Sequence, residues 1–268
     1  MASTENGTRS PRSETPLPGR VRPAERRVDV GDLVFRVLSS VAPESREPAI
    51  VLVHGIGVSH RYHSRLHNEL AAAGRSVFSI DLPGFGGLPK PRRDLGVPEM
   101  AQALGRVLAG LDIGPVVLLG HSMGTQWVVE TALQRPDLVT TVVAMGPVAD
   151  DRHRTMIGQT RALAVDTLGE PPSVNLIVFT DYLRCGIPWY LTQLRHMLAY
   201  RLEERVPDLA VPLLLIRGGA DPIAGLEWCR RLRRSAPAAE LVLIPRHHHV
   251  AQHSSPKAVA SAILTLAS

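Results

Sequence analysis

Short runs of apolar, often β-branched residues recur along the chain, and most are followed by segments with apolar positions three and four apart. Val28 to Leu38 alternates about Gly31-Asp32 and predicts a β-hairpin. Ala49 to Val53 reads as a buried strand leading into His54-Gly55-Ile56-Gly57. Ser59 is placed to cap a helix running through Leu66 and Leu70 to Ala73, which Gly74 ends. Ser76 to Ile80 is a further strand, followed by the turn Asp81-Leu82-Pro83-Gly84-Phe85-Gly86 and a polar loop from Gly87 to Gly96. Pro98 opens a helix through Met100, Leu104, Val107 and Leu108. The run beginning at Val116 is the central strand, and a helical segment from Gln126 to Gln134 follows it. Val139 to Met145 is the next strand.

From Pro147 to about Asp208 this rhythm stops. The stretch has helical patterns and no comparable strand run, and a structureless loop of that length is improbable in a compact domain. Strands resume at Val211 to Arg217 and at Glu240 to Ile244, with helices over Trp228 to Arg234 and Pro256 to Leu266. Alternating strands and helices with short connections predict an α/β fold, a mostly parallel, doubly wound sheet with an antiparallel hairpin at one edge. The organisation expected is a disordered tail over residues 1–24, a core formed by 25–146 and 209–268, and an inserted helical cap over 147–208.

Composition narrows the setting. With 268 residues, 44% of them hydrophobic, the chain suffices for one large domain with an insertion. No apolar run reaches membrane-span length, and no segment has secretory signal architecture. Two cysteines, Cys185 and Cys229, fit a reducing, cytoplasmic setting better than a disulfide scaffold. The net charge of +5 comes from arginine, since Lys90 and Lys257 are the only lysines. The arginines are scattered among Asp and Glu, and Arg230-Arg231 and Arg233-Arg234 fall on an amphipathic helix, so no nucleic-acid footprint is expected.

The chemistry centres on Gly120-His121-Ser122-Met123-Gly124, set between a buried-type strand and a helix. That is the context the G-x-S-x-G pattern requires: a sharp turn that exposes the serine hydroxyl above the sheet and leaves no room for side chains at the flanking glycines. An unaided hydroxyl is a poor nucleophile at neutral pH, so a base must take its proton.

Taken together, His54-Gly55-Ile56-Gly57, Asp81 to Gly86, Gly120 to Gly124, Gly219-Ala220-Asp221-Pro222 and a late histidine before the last helix stand in the order found in the α/β-hydrolase superfamily. From about Val28 to Leu266 the chain resembles the cap-bearing branch of that superfamily, most of all its small bacterial esterase, lactonase and carbon–carbon hydrolase groups. The resemblance implies Ser122 as nucleophile, Asp221 as the acid that orients the base, and a histidine base, in the expected chain order. Asp150 and Asp151, after the preceding strand, are substitute acids in some relatives and stand second to Asp221. Family members usually have Gly-His followed by Pro seven residues on; His249 to Pro256 has that spacing, which selects His249 from His247, His248, His249 and His253. His248 stands where glycine is usual and is the runner-up base. The consecutive histidines also invite a metal reading, but no Cys or carboxylate cluster supports one, and neither metal nor cofactor is expected.

The oxyanion donors implied are the backbone N–H groups of Ile56 and Met123. His54 is expected to support its loop by hydrogen bonding. His60, His63 and His67, at i, i+3 and i+7, read as solvated or loop-packing. The insertion gathers Phe179, Tyr182, Trp189, Tyr190 and Tyr200, and the first four are candidates for an apolar roof over Ser122. Arg184 and Arg195 are candidates to meet a substrate carboxylate. The function expected is cofactor-independent serine hydrolysis of a small hydrophobic ester, thioester or lactone. Acyl transfer or carbon–carbon cleavage by the same residues, and a non-catalytic receptor on the same fold, are the alternatives. The sequence leaves the oligomeric state open.

Overall fold

The computed structural model describes residues 23–152 and 172–266. Eight strands form one sheet: β1 (Ala24–Val30), β2 (Leu33–Ser40), β3 (Ile50–Val53), β4 (Val77–Asp81), β5 (Val116–His121), β6 (Val139–Met145), β7 (Leu213–Gly218) and β8 (Ala239–Ile244). Their spatial order is β1-β2-β4-β3-β5-β6-β7-β8. The hairpin β1–β2 is antiparallel and joins β4 antiparallel; every pairing from β4 through β3, β5, β6 and β7 to β8 is parallel. The mostly parallel sheet with a leading edge hairpin is therefore present as the alternation of elements predicts.

The central strands read as unbroken apolar runs because both of their faces are covered. Along β5, Val116 and Leu118 join one apolar cluster while Val117 and Leu119 join the other. β3 and β7 divide the same way, with Val51, Val53, Leu213 and Leu215 on the first face and Ile50, Leu52, Leu214 and Ile216 on the second. The first face is covered by α2 (Val97–Leu111), α3 (Gly124–Gln134) and, further along the chain, Trp228 and Leu232 of α7 (Leu226–Ser235). The second is covered by α1 (Ser64–Ala72) and α8 (Pro256–Leu266). Each fully buried Val, Leu or Ile side chain contributes about 1.5–3 kcal/mol, and this two-sided burial holds the strand ends in register.

Between β6 and β7 the structure describes helices α4 (Pro172–Cys185), α5 (Ile187–Ala199) and the single turn α6 (Leu202–Arg205). Gly186, at φ 73°, breaks α4 from α5, and Pro188 lies in the first turn of α5. The expected tail, up to residue 22, and residues 153–171 of the expected insertion lie outside the described residues. Among the described residues no helix is long and apolar enough to cross a membrane.

Two local expectations are corrected. Ser59 caps no helix with its side chain; a 3-10 turn, His60–His63, comes first, and α1 begins at Ser64. His63 and His67 are buried, not solvated, because the face they share turns onto the sheet. His67 bonds the hydroxyls of Ser79 (2.8 Å) and Ser40 (3.0 Å), while burial pushes its pKa down to about 4 and that of His63 to about 3.

Candidate active site

Ser122 and the N-cap Met123 are the two residues between β5 and α3, and Ser122 is held at φ 56°, a left-handed conformation unusual for a side-chain-bearing residue. Three bonds fix it. Its N–H donates to Met145 O (2.9 Å), and its carbonyl accepts from the Thr125 N–H (3.0 Å) and hydroxyl (2.7 Å). The bend is tight enough that a side chain on Gly120 would collide with the Gly124 backbone, and one on Gly124 would collide with the carbonyls of Val53 and His54. The loop after β3 therefore lies directly against the turn: a Cβ on Gly55 would sit 2.9 Å from Ser122 Cβ.

That loop is braced from beneath by His54. Its Nδ1–H donates to Gly55 O (2.7 Å) and its Nε2 accepts the Leu82 N–H (3.1 Å), which fixes the tautomer. Burial lowers its pKa and keeps the ring neutral. His54 thus has the supporting part its position suggests. Ile56 follows immediately, and Met123 is the N-cap of α3, at the helix end where N–H groups point outward and favour negative charge.

Asp221 and His249 come from the loops after β7 and β8. Backbone bonds from Ala220 N–H to His247 O (2.9 Å) and from Gly219 N–H to Ile244 O (2.7 Å) tie these loops together. His249 Nδ1 donates to Asp221 Oδ2 at 2.9 Å, and Asp221 Oδ1 accepts the N–H groups of Ile223 (2.8 Å) and Ala224 (2.9 Å). Burial alone would raise the carboxyl pKa, but the His249 charge and hydrogen bond and the two backbone donors outweigh it and keep Asp221 ionised. The His249 ring lies over the ends of β5 and β6: its centroid is 4.6 Å from that of His121, and a Cβ on Gly146 would come within 2.9 Å of its Cε1. Ser122 after β5, Asp221 after β7 and His249 after β8 thus lie on the same carboxyl edge of the sheet, and the structure joins Asp221 and His249 directly.

The alternatives are engaged elsewhere. Asp150 and Asp151 both bond Arg231 Nη2, at 2.6 and 2.5 Å, on the far side of α7. His247 bonds Ser254 Oγ (2.8 Å) and His253 bonds Ser173 Oγ (3.3 Å). Among the described residues no group of three or more His, Cys, Asp or Glu is arranged to hold a metal ion.

The aromatic candidates separate. Tyr182 and Tyr190 pack on each other, ring centroids 5.2 Å apart, and both cover Gly57, so that a side chain there would strike the Tyr182 ring. They border the Ile56 loop. Trp189 is buried over Gly84 and beside Phe85 and belongs to the core. Phe179 is 62% exposed, so the structure does not bring it together with the other three. Arg184 and Arg195 form ion pairs with Asp181 and Asp94 respectively.

Two supports escape sequence reasoning. Arg217, buried at the end of β7, donates to the carbonyls of Ala224 (2.8 Å), Gly219 (3.2 Å) and Asp221 (2.8 Å), gripping the acid's loop. His121 donates from Nε2 to His249 O (3.0 Å), and burial holds it well below the ordinary histidine pKa, so it acts as a neutral strut. The signal for Arg217 was present: a lone arginine directly after the apolar run Leu213 to Ile216.

Comparison with known proteins bears on the family and the fold. A model described as the alpha/beta hydrolase family matches residues 50–262. The chain is 38% identical over 96 residues to an uncharacterized protein of Mycobacterium tuberculosis, a match that covers 36% of this chain and only 28% of that protein. It is 26% identical over 240 residues to the sn-1-specific diacylglycerol lipase ABHD11 of Mus musculus, with 78% of each chain covered. Among solved structures it is similar to a membrane phospholipase A, a bacterial virulence factor, at a TM-score of 0.78 and 20% identity over 92% of this chain and 87% of that one, a likeness of fold.

Proposed function

The chain belongs to the alpha/beta hydrolase family, and on that footing we propose that it is a serine hydrolase that cleaves a small hydrophobic ester, thioester or lactone through an acyl-enzyme. One observation carries the reading: the buried 2.9 Å Asp221–His249 pair lies at the same strand ends as a serine held in a left-handed turn.

In this reading His249 Nε2 takes the Ser122 proton as Oγ attacks the carbonyl carbon. Asp221 holds Nδ1–H in place and stabilises the imidazolium. The carbonyl oxygen, now an anion, is met by the N–H groups of Ile56 and Met123; loss of one such donor typically costs about 3 kcal/mol of transition-state stabilisation. Collapse expels the leaving group, protonated by His249, and a water activated by the same base releases the acid and restores Ser122. Residues 147–208 serve as a cap that shapes the acyl pocket, with Tyr182 and Tyr190 at its inner edge; their packing on Gly57 supports this. A cytoplasmic setting is in keeping with two free, buried cysteines, Cys185 and Cys229.

A fluorophosphonate tests the proposal. It should add to Ser122, as read by mass spectrometry of digests, and Ser122→Ala should keep its fold while losing turnover on the order of 10⁶-fold. Adduct elsewhere, with Ser122 unmodified, would sink the assignment.

A further inference from the structure

The acid that touches the oxyanion loop from outside is not a member of the Asp–His pair. Asp181 is the only acidic residue between positions 172 and 199, and its side chain is completely buried on α4. A buried carboxylate is costly unless its oxygens are satisfied. Here the satisfaction comes almost entirely from the segment that follows the Ile56 loop. Oδ2 accepts the Ser59 hydroxyl at 2.6 Å, across 122 residues of sequence, and Oδ1 accepts Arg61 Nη1 at 3.0 Å and, from its own helix, Arg184 Nη1 at 3.5 Å. The Ser59 carbonyl is fixed in turn by the Tyr62 N–H (3.0 Å). The next residue of α4, Tyr182, lies flat on Gly57, which is held at φ 78°.

The segment Gly55 to Ser59 therefore has two walls. The serine turn presses on Gly55, and α4 presses on Gly57 and bonds Ser59. Ile56 lies between them. Displacement of Ser59 by even a few tenths of an ångström would swing the peptide that carries the Ile56 N–H, and oxyanion donors act only when already aimed at the place where charge develops. We propose that Asp181 is a positioning residue for the Ile56 donor: through Ser59 and Arg61 it locks the loop in its donating conformation and couples the seating of α4 to catalytic competence. This rests on the serine-hydrolase reading of Ser122.

A role confined to holding the helix makes a different prediction. Loosening α4 alone would alter the acyl pocket, so KM and chain-length preference would change while turnover of the shortest esters persisted. Misplacing a donor lowers kcat equally for every acyl length, leaves KM near its starting value, and slows capture of a fluorophosphonate, whose phosphoryl oxygen occupies the same place.

The experiment uses full-length protein with Ser59→Ala, Ser59→Thr and Asp181→Asn, each checked for its melting transition. Ser59→Ala removes one hydroxyl and leaves Asp181 with its two arginines, so it remains informative even where Asp181→Asn folds poorly. Expected are a kcat reduced about tenfold to a hundredfold across a panel of acyl lengths, KM within about twofold, and fluorophosphonate capture slowed in proportion. Ser59→Thr, which keeps the donor, should recover most of the loss. Unchanged kcat and capture rate in a folded Ser59→Ala variant, with wild-type Ser122 labelled normally, would overturn the positioning role alone. Absence of capture at Ser122 in the wild type would overturn the hydrolase reading and this inference with it.

Discussion

Two aspartate–histidine pairs sit at the carboxyl edge of this sheet, and they are built differently. Asp221 bonds His249 at 2.9 Å; Asp81, at the end of β4, bonds His60 at 2.7 Å. Both carboxyl side chains are fully buried, and both stay ionised although burial alone would raise their pKa values. The remaining partners differ. Asp81 also accepts Arg36 Nη1 (2.9 Å) and the His60 N–H, so a permanent cation neutralises it whatever the state of His60. The Asp221 carboxylate accepts two backbone N–H groups and His249, while the nearby Arg217 guanidinium bonds the Asp221 backbone carbonyl and not its carboxylate. Ser122, at φ 56°, follows β5 on the same edge of the sheet as the loops that carry Asp221 and His249; His60 begins a 3-10 turn. A carboxylate–imidazole contact alone is therefore no catalytic device. What separates the two pairs among the described residues is that Arg36 bonds the Asp81 carboxylate directly, whereas Arg217 bonds only the backbone carbonyl of Asp221.

The largest effects should follow that division. Asp221→Asn is expected to keep the loop but favour the wrong His249 tautomer, lowering turnover on the order of 10⁴-fold with little change in stability. Asp81→Asn should leave turnover within about tenfold and instead cost about 3 kcal/mol of stability, because Arg36 loses a buried counter-charge. Turnover and urea unfolding on both variants decide it. Equal losses of turnover in two folded variants would mean that Asp81 has a part in the chemistry.

Neighbouring aromatics sharpen the contrast, since one residue separates their roles. Trp189 packs over Gly84, on the Asp81 side, and is core; Tyr190 packs over Gly57, on the Ser122 side. Trp189→Ala should cost about 3–5 kcal/mol of stability. Tyr190→Ala should shift preference among acyl chain lengths by ~1–3 kcal/mol while Ser122 still labels. A uniform loss for every ester in Tyr190→Ala would give the tyrosine a folding role as well.

Much of this was legible in the sequence because it is local. A strand covered on both faces announces itself as an apolar run, as at Val116 to Leu119, and the elbow is written in five consecutive residues. His249 was found by its spacing to Pro256. The supports were not legible, because each acts across the chain. Asp181 reaches Ser59 and His121 reaches His249 over more than a hundred residues, and no periodicity marks either. The spacing of His60, His63 and His67 suggested one helix face, but His60 and His63 lie in a 3-10 turn and only His67 on α1; its burial depends on the hydroxyls of Ser79 and Ser40 being there to satisfy the ring.

The same histidines make the Asp81 side acid-sensitive. His67 titrates near its ordinary value, about 6.5, once unfolded but at about 4 when folded, chiefly through burial and then through the nearby His60 charge. Between those values the unfolded chain binds the extra proton, so stability is complete above about pH 6.5 and is lost as pH falls toward 4. The loss attributable to this residue is on the order of 3 kcal/mol. Urea unfolding between pH 7 and 4 should show that slope, and His67→Gln should flatten it. An unchanged slope in the variant would assign the acid sensitivity to other groups.

The smallest effect lies in the histidine loop beside the Asp221–His249 pair. His248 stands where relatives usually carry glycine, and a side chain in place of glycine is a candidate source of backbone strain. The left-handed residue of that loop is Arg246, at φ 63°; His248 is not among the positive-φ residues. A left-handed conformation costs a side-chain-bearing residue about 1–2 kcal/mol, and glycine in its place forfeits about 0.5–1 kcal/mol of backbone entropy. Arg246→Gly should therefore raise stability by up to ~1 kcal/mol. His248→Gly relieves no strain and should lower stability by ~0.5–1 kcal/mol, with turnover unchanged because His249 keeps its bond to Asp221. Parallel urea midpoints read both. A gain in His248→Gly together with a loss in Arg246→Gly would return the strain to position 248 and restore glycine's usual place as the relaxed residue before the base.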